Sequence, residues 1–136
     1  MKKKSRFLFF LVCLIFISCT SISNSKKNEL INLNPMLFHN GDNCAYIGKM
    51  DLSPKQFIEI YFIEHLFGNS RANYRLVFFD NNNSISCYRV EDKPTLINGT
   101  LLFPYKKELG NKITLETGIP DKIYLNGEVI ELLTIK

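Results

Sequence analysis

The chain has 136 residues and no tryptophan, and its only histidines are His39 and His65. It contains no Cys-x-x-Cys pair, no His-Glu-x-x-His, no Gly-x-Ser-x-Gly elbow and no glycine-rich phosphate loop. The usual local means of holding zinc, activating a serine or cradling a nucleotide are therefore missing. No apolar run approaches the roughly 20 residues that a membrane-spanning helix needs. No acidic residue precedes Glu29, whereas four of the 17 Lys and Arg residues (Lys2, Lys3, Lys4 and Arg6) fall in the first six positions. Without them, 13 basic residues face 13 acidic ones, and a balanced remainder argues against general attraction to nucleic acid. The length suits one domain, and 46% apolar residues exclude a disordered tail or a fibrous repeat. No solenoid-type repeat is apparent.

The basic start leads into residues 7–17, which carry no polar side chain apart from the Cys13 thiol, and then into Ser18-Cys19. A basic stretch, an apolar stretch of about a dozen residues and a small residue together form the layout of a secretory signal. Phe16-Ile17-Ser18-Cys19 resembles the lipobox of bacterial lipoproteins. The resemblance implies a signal peptide over residues 1–18, diacylglycerol on the Cys19 thiol and an acylated (palmitate-type) amino terminus, enough for stable membrane attachment. Thr20, where the family uses Asp to retain a protein in the inner membrane, implies an outer-membrane lipoprotein facing the periplasm. Residues 19–29 then read as a lipidated, flexible tether, and residues 30–136 as the folded domain.

With Cys13 in the signal and Cys19 lipidated, Cys44 and Cys87 remain in an oxidising compartment, where an even pair is expected to form a disulfide. Closing a loop of about 40 residues would stabilise the fold by roughly 4 kcal/mol in the chain-entropy account. The competing readings are a catalytic thiol, for which only His39 and His65 offer a base, or a metal site, for which no ligand spacing is present.

Seven or eight short β-prone runs, with turn formers every 8–12 residues, predict an all-β fold, a single small immunoglobulin-like β-sandwich. Pro35 limits residues 30–38 to an edge strand at best. Residues 57–66 are the ambiguous segment. Ser53-Pro54-Lys55-Gln56 has the form of a helix start and Gly68 that of a stop, which admits one short helix near 54–67. The β-branched and aromatic residues between them favour strand, with Ile58, Ile60 and Phe62 on one face. Asn126-Gly127, between two short apolar runs, is the clearest hairpin signal in the chain, because both residues tolerate positive φ.

No catalytic constellation emerges. Glu59 and Glu64, five apart on a strand, point to opposite faces, and the neighbours Glu64 and His65 also point apart. The polar loop at residues 80–83 reads either as a partner-contacting loop or, more simply, as a hairpin turn. Tyr105 with Lys106, Lys107 and Glu108 combines an aromatic with charges, as interface anchors often do. These observations favour a binding protein without cofactor, metal, nucleic acid or small-molecule substrate.

Cys19, the segment Asn40-Gly41-Asp42-Asn43-Cys44-Ala45-Tyr46-Ile47 and the later Cys87 resemble the layout of periplasmic immunity lipoproteins associated with type VI secretion. The resemblance implies a protein that neutralises a toxic antibacterial effector by direct, stoichiometric binding; it implies no catalytic residues and transfers no inhibitory surface. A structural lipoprotein subunit of an envelope complex and an inhibitor of lysozyme-like enzymes are the alternative binding roles.

Overall fold

A computed structural model describes residues 28, 32, 39, 41–68 and 71–135, and in it the ambiguous segment is strand β2 (Gln56–Phe67). Its helix-like start is the tip of a hairpin. Pro54 and Lys55 connect β1 (Asn43–Ser53) to β2, with Ser53 paired opposite Gln56. Proline presets the φ that the first corner of a tight turn requires. β2 shows no polar–apolar alternation because both of its sides are covered. Ile58, Ile60 and Phe62 are buried on one face, while Tyr61 and Ile63 are buried on the other. A strand buried on both faces reads as a continuous apolar run, and periodicity alone does not distinguish it from a buried helix.

β1 and β2 continue into β3 (Arg71–Asp80) and β4 (Ile85–Val90), all antiparallel, and β10 (Leu133–Ile135) returns to pair with β4. The sheet order is thus β1-β2-β3-β4-β10. Two smaller sheets lie over one face. β5 (Thr95–Ile97), β6 (Thr100–Leu102) and β7 (Lys112–Thr114) form one, and β8 (Lys122–Leu125) with β9 (Glu128–Glu131) form the other. Between the layers, Ile58, Ile60, Leu76, Phe78 and Tyr88 meet Leu101, Phe103, Ile113, Leu115 and Leu125 in the principal core. The fold is therefore all-β and two-layered. Its first four strands run as a meander, where an immunoglobulin domain would use a Greek key. Asn32 is helical, so the edge strand expected over 30–38 does not hold at that residue. The signal, the lipobox with Cys19 and most of the tether lie outside the described residues.

The turn chemistry explains how the layers are held. Asn98-Gly99 and Asn126-Gly127 both adopt positive φ, and they close the β5–β6 and β8–β9 hairpins. Gly48 sits at an irregularity in β1, where a Cβ would come within 2.7 Å of the Leu96 side chain; its bareness lets β5 approach. Gly110, also at positive φ, follows a 3-10 turn at Lys107–Leu109. A Cβ at this position would run into the Tyr124 carbonyl oxygen. Instead the Gly110 carbonyl accepts the Asn126 amide at 2.9 Å and the Leu109 carbonyl accepts the Gly127 amide at 2.6 Å, fixing this loop to the β8–β9 hairpin.

Candidate functional site

The expected bridge between Cys44 and Cys87 is not formed, and the sheet order gives the reason. Cys44 on β1 stands opposite Ile63, in the row that continues through Arg75 to Arg89. Cys87 on β4 belongs to the row of Val77, Tyr61 and Tyr46. Two strands intervene, so the backbones lie about 14 Å apart at the usual strand spacing, whereas a disulfide needs Cα atoms within roughly 7 Å. Cys87 is buried among Tyr61, Val77, Phe79 and Ile85. Burial raises its thiol pKa, and the nearby Arg75 and Arg89 oppose that shift. A thiol so placed is a poor nucleophile.

The loop after β3 is structural. The Asp80 carboxylate accepts the amides of Asn82 and Ser84, each at 2.9 Å. Asn81 reaches across to the β1–β2 turn, where its Oδ1 accepts the Phe57 amide at 3.2 Å and its Nδ2 donates to the Lys55 carbonyl at 2.8 Å. Two side chains of this polar loop are thereby engaged, Asp80 in closing its own turn and Asn81 in holding the two hairpin ends together. Glu59 and Glu64 fall on opposite faces of β2, as expected. Glu59 accepts from the Tyr61 hydroxyl at 3.3 Å, and Glu64 accepts from the Asn43 amide side chain at 2.9 Å.

Among the described residues, two further regions bring together distant parts of the chain. The first is an open groove of about 610 Å³ between the β4–β10 edge of the large sheet and the β8–β9 hairpin. Its walls include Arg89, Glu91, Tyr105, Asn126, Val129 and Leu133. Val129 is 68% exposed and Leu133 52%, so the groove presents apolar surface to solvent beside a charged rim. Asn126 Nδ2 donates to Glu91 Oε2 at 2.6 Å, fixing one side of that rim to the hairpin turn. Tyr105, singled out above with its neighbouring lysines, is stacked on Phe103 with ring centroids 5.6 Å apart. Burial raises its hydroxyl pKa, with the Asp92 charge adding to the effect and the backbone amides of Glu91 and Asp92 opposing it.

The second region lies at the opposite edge of the sheet, where the turn before β1 meets the end of β2. Asp42 is 2% exposed and sits between His39 and His65, which are 54% and 29% exposed. One carboxylate oxygen contacts His65 Nδ1, and the other accepts the His39 backbone amide at 2.9 Å while lying 3.6 Å from His39 Nδ1. The Asp42 amide returns a bond to the His39 carbonyl at 3.0 Å. The two imidazole rings stand 4.6 Å apart, and Phe67 packs edge-on against His65 at 4.5 Å. Sequence reasoning missed this cluster because Asp42 and His65 are 23 residues apart and meet only through the β1–β2 register. The adjacent Asp42 and Asn43 divide their attention between the two faces of β2: Asn43 binds Glu64 and Asp42 binds His65. The chain matches no protein-family model, no curated protein and no solved structure.

Proposed function

We propose that this chain is a lipid-anchored periplasmic binding protein that neutralises an antibacterial effector by occluding it. The observation that carries the binding role is the groove beside β10, which combines exposed apolar side chains with charged walls. Such a combination suits a protein partner: apolar anchors supply affinity when they are desolvated, and the polar rim supplies orientation. The loop-to-hairpin hydrogen bonds at Leu109 and Gly110 and the Asn126–Glu91 bond hold one wall in place before binding, which lowers the ordering cost of association. A lipid on Cys19 would keep the domain where an incoming toxin arrives, and occlusion calls for no catalytic residue.

The test is a pulldown from periplasmic extract with the full chain as bait, together with the product of any adjacent gene. The expected result is a one-to-one complex with a toxin, and rescue of cells that express this toxin in the periplasm. Val129→Lys and Leu133→Asp should each weaken the complex at least tenfold, about 1.4 kcal/mol, without unfolding the domain. Recovery of envelope proteins without rescue would reassign the chain to a structural subunit, and recovery of a muramidase with loss of its activity would make it a lysozyme-type inhibitor. Cys19→Ala should release the protein from the membrane fraction; retention there sinks the lipoprotein assignment.

A further inference from the structure

We infer that His39, Asp42 and His65 form a binding site for a divalent first-row metal ion, with Zn²⁺ the ion that the donor set suits. Two imidazole nitrogens and one carboxylate oxygen lie within 4.8 Å of one another. Ligand atoms on a tetrahedral zinc, with bonds of about 2.0–2.1 Å, stand roughly 3.4 Å apart. The widest separation must therefore close by no more than about 1.4 Å, and the direct Asp42–His65 contact must open to admit the ion. His39 is the member able to move, since more than half of its side chain is in solvent. Asp42 is the fixed member, held by its bonds to and from the His39 backbone.

Charge favours the ion as well. A carboxylate buried to this degree needs compensating positive charge or hydrogen bonds. A divalent cation supplies the charge while both rings stay neutral, the state in which imidazole coordinates. Two nitrogens and one oxygen suit zinc and its neighbours, whereas calcium and magnesium prefer all-oxygen shells. An ordinary Asp–His hydrogen bond would account for Asp42 and His65, yet it gives no reason for a second imidazole ring 4.6 Å from the first. Three protein donors leave one position for water, as in open zinc sites. The site lies at the β1 edge of the sheet and shares no residue with the groove, so it stands or falls independently of the proposed effector binding.

The experiment uses the full chain in detergent, without a polyhistidine tag and stripped with chelator, titrated with Zn²⁺ by calorimetry. We expect one ion per chain with a dissociation constant at or below the micromolar range, and at least tenfold weaker binding in His39→Asn and in His65→Asn. His39 is largely exposed, so His39→Asn keeps the fold, which circular dichroism will verify. Zinc should also raise the thermal midpoint of the parent chain, and raise that of His39→Asn by less at the same zinc concentration. Absence of saturable one-to-one uptake, undiminished affinity in either variant, or an undiminished midpoint shift in His39→Asn would overturn the assignment.

Discussion

At the scale of single residues, Tyr88 supplies a polar fastening to the interlayer core. The Tyr88 ring is fully buried, stacks edge-on against Phe78, and donates its hydroxyl to the Pro120 carbonyl. Burial, with the Asp121 charge adding to it, raises its pKa above the ordinary value of 10.0. The folded chain therefore keeps this proton at a pH where the unfolded chain has begun to lose it. Stability from this group is complete below about pH 10 and declines as the pH rises beyond it. Tyr88→Phe should cost about 1–2 kcal/mol at neutral pH through the orphaned carbonyl. The gap to the parent chain should narrow above about pH 10; urea midpoints across that range that stay a constant distance apart would refute this. None of it is legible in the sequence, since Tyr88 and Pro120 are 32 positions apart.

At the scale of elements, what could be read locally was local chemistry. Asn126-Gly127 specifies its hairpin because the positive φ of both residues is a property of those two residues alone. The segment 57–66 resisted reading because burial on both faces erases the period that separates strand from helix. The polar loop at 80–83 was recognisable as a turn, but the reach of Asn81 to Lys55 and Phe57 depends on β2 and β3 already lying side by side. Asn81→Ala removes both bonds and should destabilise the fold by about 1–2 kcal/mol. Hydrogen exchange should show faster amides around the β1–β2 turn and no change in the β8–β9 hairpin; a uniform acceleration would mean that Asn81 is not a local staple.

At the scale of the whole molecule, the two-layer all-β architecture follows from the strand count and turn spacing, whereas the cysteine pairing does not. Chain separation says nothing of strand order, and β2 and β3 stand between Cys44 and Cys87. The expectation of a bridge, drawn from an even count and an expected oxidising compartment, is therefore not met. Alkylation of the unfolded chain without reductant should recover the peptide carrying Cys87 fully modified. Recovery of a Cys44–Cys87 linked peptide would require a different strand order. Burial of Cys87 would shield its thiol from any oxidant, because a shielded, protonated sulfur reacts slowly.

The route taken by β10 has a kinetic consequence. β1 to β4 pair with their neighbours in sequence, so each hairpin forms by closing a short loop, a step that proceeds rapidly. β10 pairs with β4 only after the chain has passed through both small sheets, and it does so through three residue pairs, Leu133 with Cys87, Thr134 with Ser86 and Ile135 with Ile85. Zipping of the meander should come early and this closure last, leaving the β4 edge open in the interval. During that interval β4 offers unpaired backbone to any other extended chain, which makes the final strand the guard against misassociation while the protein folds.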